Sequence, residues 1–252
     1  MKREPNINLR LEGKLHQHTG QFRRYLEQAK RFTAQAFERF ATPYLSLSGG
    51  KDSVAMLGVV NDVACEMGKS FEIWAHISDA SFPGTVETIR ACAEKTGRPL
   101  ILDESPVSAF DVIGQQSAQR FGKQGYFFDA IAEQCQTHDL AFVGVRAAES
   151  KRRTDACKAH GHLFETTVPA HHWKCQPICW WTIQDVAAAL AYYDLPIHPI
   201  YDKFPTDTGA IRLGYATALD LVEKGTVIFL RKNYPDLYQK LTQARPELRR
   251  LS

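Results

Sequence analysis

The string Ser48-Gly49-Gly50-Lys51-Asp52-Ser53 constrains this chain more than any other feature. A short apolar run, Tyr44-Leu45-Ser46-Leu47, precedes it, and helical periodicity through Val54, Leu57, Val60 and Val63 follows. The order is therefore strand, loop, helix. Adjacent glycines adopt backbone angles that other residues resist, and they let a ligand come close to the chain. A helix starting near Asp52 offers N–H groups without intrahelical acceptors and the positive end of its dipole, which together make an anion site. The hydroxyls of Ser48 and Ser53 and the ammonium of Lys51 add donors. Asp52 is out of place beside a phosphate unless a Mg²⁺ ion lies between them, so Asp52 is the expected metal contact. The plain alternative is a Gly-Gly turn with a serine or aspartate helix cap. The apolar strand before the loop and the apolar helix after it favour phosphate. The longer Walker A loop and the Gly-x-Gly-x-x-Gly dinucleotide fingerprint are absent.

The rest of the chain alternates in the same manner. Residues 1–13 are polar without clear periodicity and read as an extended arm. Residues 19–39 read as a helix, with Phe22, Leu26, Ala29, Phe32, Ala36 and Phe37 at helical spacing. Strands are expected at 44–47, 71–77, 100–102 and 140–145. Helices are expected at 52–66, 83–95, 127–136 and 182–193. Pro83 suits a first helical turn, and Thr182 suits an N-cap. Such alternation implies βαβ units and an α/β fold, a mostly parallel sheet with helices on both faces. Pro196, Pro199 and Pro205 mark an irregular stretch, followed by short helices near 214–224 and 234–243. The expected organisation is an N-terminal arm and helix (1–40), a nucleotide-binding domain (41–200) and a C-terminal helical extension on the same domain (201–252).

Several further segments resemble the phosphoadenosine phosphosulfate (PAPS) reductase-like family of PP-loop ATP pyrophosphatases. Ser48 to Ser53 is similar to the PP-loop itself. Asp79-Ala80-Ser81-Phe82-Pro83-Gly84-Thr85 resembles, imperfectly, an Asp-Thr-Gly-x-x-x-Pro-Glu-Thr segment. Residues 144–153, Gly-Val-Arg-Ala-Ala-Glu-Ser-Lys-Arg-Arg, closely resemble Gly-x-Arg-x-x-Glu-Ser-x-x-Arg. Pro177-Ile178, Trp181-Thr182 and Asp185-Val186 are similar to a third segment, and Leu195-Pro196 and Tyr201 fit the stretch after it. The resemblance implies a doubly wound sheet with an adenine nucleotide at the carboxyl ends of the strands. It also implies, for many members, cleavage of ATP to AMP and pyrophosphate, the loop holding the pyrophosphate. Lys51, Asp52, Arg146 and Arg152 are then the expected catalytic residues. Ser48, Gly49, Gly50, Lys51, Asp52, Ser53, Asp79, Gly144 and Glu149 are the expected nucleotide contacts, with ATP and Mg²⁺ as cofactors.

The arginines suit a phosphate or sulfate because a guanidinium fork grips two oxygens at once. Glu149 would hold an arginine in place. The bland reading of 146–152 is a solvated, charged helix start. Asp79 would touch base or ribose, or cap the helix that follows it. Cys157, His171, His172, Cys175 and Cys179 form a tempting metal cluster. However, Cys175-x-x-x-Cys179 lacks the tight spacing of a knuckle and no second pair follows, so free cysteines and surface histidines are expected.

Members that reduce activated sulfate carry a C-terminal cysteine in a Glu-Cys-Gly-Leu-His-type motif. Here no cysteine follows Cys179. Sulfur-transfer relatives carry paired cysteines where Tyr215 and Ala218 stand. The departures favour ATP chemistry. Sulfonucleotide reduction or sulfur transfer by another thiol is an alternative, as is a non-catalytic nucleotide-binding regulator. The net charge of +3 is too small to argue by itself for a nucleic-acid partner. Arg23, Arg24, Lys30, Arg31, Arg249 and Arg250 nevertheless make a nucleic-acid or protein partner a second expectation. The acceptor substrate would be anionic, and the amphipathic helix at 19–39 would serve a homodimer. With neither an apolar leader nor a membrane-length apolar run, the expected setting is cytoplasmic, with six reduced cysteines.

Overall fold

A computed structural model describes residues 7–111, 126–203 and 225–251. In chain order the first elements are α1 (Leu9–His16), α2 (Gly20–Arg39), β1 (Pro43–Ser46), α3 (Lys51–Met67), β2 (Glu72–Ile77), α4 (Thr85–Thr96) and β3 (Leu100–Glu104). Then come α5 (Tyr126–Thr137), β4 (Leu140–Val143), α6 (Lys151–His160), β5 (Leu163–Thr166), β6 (His172–Cys175) and α7 (Ile183–Tyr192). A 3₁₀ turn at Pro199–Asp202, α8 (Thr226–Asn233), α9 (Pro235–Ala244) and a 3₁₀ segment at Pro246–Leu251 complete the described chain.

The six strands form one sheet in the order β3-β2-β1-β4-β6-β5. All neighbours run parallel except β5 against β6. The chain winds outward from β1 in one direction to β3, then crosses to the other side with β4. That reversal between β1 and β4 is a switch point, where open α/β sheets leave a crevice at their carboxyl ends.

Alternation along the strands divides the core into two faces. Leu45, Ile73, Phe142 and Cys175 point to one face and are fully buried with Leu57 and Val60 of α3, Phe22 and Phe37 of α2, Ile89 of α4 and Val186 of α7. Tyr44, Trp74 and Ala141 point to the other face, where Ala130, Phe127 and Ile131 of α5 cover them. α8, α9 and the last 3₁₀ segment bury Val227, Leu230, Leu237, Leu241 and Leu248. They pack against Ala80, Phe82, Ala109, Phe110 and Ile200 from the loops above the sheet. Among the described residues no helix is long and apolar enough to cross a membrane.

Four expectations need correction. Part of the expected arm is helix: the Asn8 side chain caps α1 by accepting from Arg10 N and Leu11 N. The helix is held by packing on α7 and by His16 Nε2 at 2.9 Å from Asp185 Oδ1. Pro83 is not in a first turn; α4 begins at Thr85 behind Gly84, whose φ is +94°. The 140–145 strand stops at Val143, where Val145 N turns back to Val143 O. Strands β5 and β6 were not expected at all: each has four residues, and polar side chains interrupt the apolar signal. The helix expected near 214–224 lies outside the described residues. Thr182 caps α7 as expected, accepting from Asp185 N while Asp185 Oδ2 accepts from Thr182 N.

Candidate functional site

The loop after β1 lies at the switch point, between the carboxyl ends of β1 and β4. Gly49 turns it with a φ of +72°, an angle that an L side chain rarely adopts. Ser53 fastens the turn. Its Oγ donates to Gly50 O at 3.0 Å, accepts from Ser48 N at 3.2 Å and lies 3.1 Å from Ser48 Oγ. The first intrahelical bond of α3 runs from Val54 N to Gly50 O, so the N–H groups of Lys51, Asp52 and Ser53 precede the regular ladder.

Gly144, just beyond β4, makes the other wall. A Cβ there would come within 2.9 Å of both Ser53 N and Ser53 Cα. Only a glycine lets the end of β4 lie this close to the first turn of α3. Arg146 follows at once and is almost fully buried. Its Nε donates to Asp52 Oδ1 at 2.5 Å and its Nη1 to Trp181 O at 3.2 Å. Its backbone N donates to Glu149 Oε2 at 3.0 Å, and Glu149 also pairs with Arg153. Glu149 thus braces the arginine segment.

Asp52 sits between two cations. Lys51 Nζ donates to its Oδ2 at 2.7 Å while Arg146 holds Oδ1. Burial alone would raise the Asp52 carboxyl, but Lys51 and Arg146 outweigh it and hold the group well below the usual carboxylate range. For Lys51, burial pulls the ammonium down, but Asp52 and Tyr201 overcome this and the net shift is upward. The lysine stays charged although it is nearly buried. Both Asp52 oxygens accept from these cations, and a Mg²⁺ ion held mainly by phosphate oxygens would take Asp52 as its one carboxylate contact.

The remaining expected residues scatter. Arg152 is exposed on α6. Asp79 does not cap α4. Its Oδ1 accepts from Ala109 N at 2.8 Å and its Oδ2 from Ser108 Oγ at 2.5 Å, which ties the β2 and β3 loops together. Leu47 N, just after the end of β1, donates to Trp74 O at 2.8 Å. His171 is exposed near Glu165, but His172 is buried, against the expectation of surface histidines. Cys157, Cys175 and Cys179 are buried, and all six cysteines are free. Burial pushes all three thiols up, Cys179 to about 12, so none has the lowered pKa of a reactive thiol. A residue noted in the sequence but given no role belongs to the site: Tyr201, whose hydroxyl accepts from Lys51 N at 3.0 Å.

The sequence profile of the phosphoadenosine phosphosulfate reductase domain matches residues 42–214, well over half of the chain. The chain belongs to this family. Its fold is similar to that of Candida glabrata FMN adenylyltransferase, solved with FAD and inorganic pyrophosphate, with a TM-score of 0.56 and 13% identity over 77% of this chain and 69% of that one. It is also similar to PAPS reductase from Candida auris in a phosphate complex (TM-score 0.52, 14% identity, 69% and 84% covered). The U34-tRNA thiolase of Methanococcus maripaludis, with its [4Fe-4S] cluster, matches at a TM-score of 0.50 and 13% identity over 100% and 90%. At such identities the likeness is one of fold. No curated protein matches the sequence significantly. In this PAPS reductase-domain protein, the glycine loop and the arginine segment form one buried cluster of two cations on one carboxylate.

Proposed function

We propose that this PAPS reductase-domain protein is an ATP pyrophosphatase that activates an anionic acceptor. The acceptor oxygen attacks the α-phosphorus of ATP, the bond from that phosphorus to the bridging oxygen breaks, and pyrophosphate leaves with the bond electrons. The observation that carries this reading is the nearly buried Lys51 ammonium at the amino end of α3, with the Arg146 guanidinium across Asp52 from it. Preorganised cations and N–H groups stabilise charge where it develops, here on the departing pyrophosphate. Ser48, Gly49, Gly50 and Ser53 shape the seat, Gly144 admits α3 to it, and Glu149 keeps Arg146 in register. Arg152, exposed beyond Arg146, is the group available to an anionic acceptor. The raised thiols disfavour the sulfur-transfer alternative, which needs a thiolate.

The test is pyrophosphate release from ATP by the wild type and by Lys51→Ala. Loss of one preorganised donor costs about 100-fold or more in rate. Equal release from the two proteins removes the mechanism. ATP binding without release, in the presence of candidate acceptors, favours the regulator instead.

A further inference from the structure

Tyr201 belongs to the 3₁₀ turn Pro199–Asp202, 150 residues from the loop it touches. Its hydroxyl accepts the Lys51 backbone N–H at 3.0 Å. That N–H is one of the first-turn donors that make a helix start an anion site. The Lys51 ammonium also lies 5.8 Å from the centre of the Tyr201 ring, within cation–π range. A Cβ on Gly50 would lie 3.6 Å from the same hydroxyl, so the phenol stands directly against the glycine loop. Two groups that a phosphate would meet therefore already face an aromatic ring with an acceptor oxygen.

The turn is anchored. His198 Nδ1 accepts from Ile200 N at 3.0 Å, and His198 Nε2 lies 3.0 Å from Thr85 Oγ1. Pro199 packs on Gly84. Tyr201 also lines a cavity of about 160 Å³ with Asn8, Leu9, Arg10, Ile197 and Asp202.

We infer that Tyr201 is a displaceable plug of the phosphate seat: its hydroxyl holds the place of a pyrophosphate oxygen at Lys51 N–H, and a di- or triphosphate enters by turning the phenol toward the Arg10–Asp202 cavity. The inference rests on reading the loop as a phosphate site. One N–H cannot serve both oxygens at good geometry, so the two acceptors compete. The apparent affinity for phosphate is then reduced by the fraction of molecules that are plugged.

The test is calorimetric titration with inorganic pyrophosphate. Tyr201→Phe keeps the ring and removes the competing oxygen, so it is expected to bind about five- to tenfold tighter than the wild type. Equal affinity overturns the inference, and weaker affinity shows that the hydroxyl grips the ligand instead. A second readout uses the unsubstituted chain labelled with 3-fluorotyrosine, its Tyr201 signal assigned through Tyr201→Phe or Tyr201→Trp. Saturating pyrophosphate is expected to move the ¹⁹F resonance of Tyr201; a stationary line overturns the plug. If Lys51→Ala abolishes pyrophosphate binding while Tyr201→Phe gains nothing, the phosphate site stands and the plug falls. If neither the wild type nor Tyr201→Phe binds pyrophosphate, the phosphate site falls and the plug with it.

Discussion

Asp52 is the shared counter-ion of Lys51 and Arg146, and its worth depends on both. Removing its charge takes this shared counter-ion from two cations at low exposure, which is costlier than never having built the pair. Asp52→Asn is therefore expected to lower stability by about 3 kcal/mol in urea denaturation at neutral pH. The pH dependence has a definite sign. The folded carboxyl sits below its unfolded value, so its contribution is complete above the ordinary carboxylate range and is lost as the solution is acidified through and below it. The wild type should thus lose stability on acidification more steeply than Asp52→Asn. Parallel acid limbs would contradict this. The aspartate itself was legible in the sequence, but not its role as a counter-ion to two cations. Its second cation is 94 residues away, and no local pattern announces such a pairing.

The approach of β4 to α3 depends on a missing side chain. A methyl group on Gly144 would meet the Ser53 backbone rather than a yielding side-chain tip, so one of the two elements must move. Gly144→Ala is expected to cost about 1–3 kcal/mol, in the range of overpacking, and to weaken ATP binding measured by calorimetry. Unchanged values for both would mean that β4 can back away freely. Elements also differ in how openly the sequence displays them. α2 and α3 are long and carry sustained apolar spacing, and both were readable. α1 has eight residues including Gly13, and packing on α7 rather than propensity holds it. β5 and β6 hide for a related reason: their burial is set by the edge of the sheet, while Glu165, His172 and Lys174 obscure the pattern. The glycine loop was visible because its chemistry is local. Tyr201 was visible only as a letter in a motif, since its contact spans two distant segments.

The whole molecule offers a simpler assay of the site. A ligand that binds only the folded chain adds about 2.7 kcal/mol at a hundred times its Kd. For a chain of this size, that corresponds to roughly 5–10 °C in thermal midpoint. ATP is expected to raise the midpoint of the wild type by that amount and to leave Lys51→Ala unmoved. A rise in both would place ATP elsewhere. The doubly wound order also has a consequence in time. β1 pairs with β4 across a long stretch of chain; the Asp139 carboxylate accepts from Ala41 N and Thr42 N, 98 and 97 residues away. That closure is entropically costly and slow compared with the βαβ pairing of β1 with β2. The loop can bend as soon as α3 packs on its neighbouring strand, but Gly144 and Arg146 arrive only with β4. The proposed phosphate seat is therefore a late product of folding: nascent and partly folded chains hold only half of it until the distant strand docks.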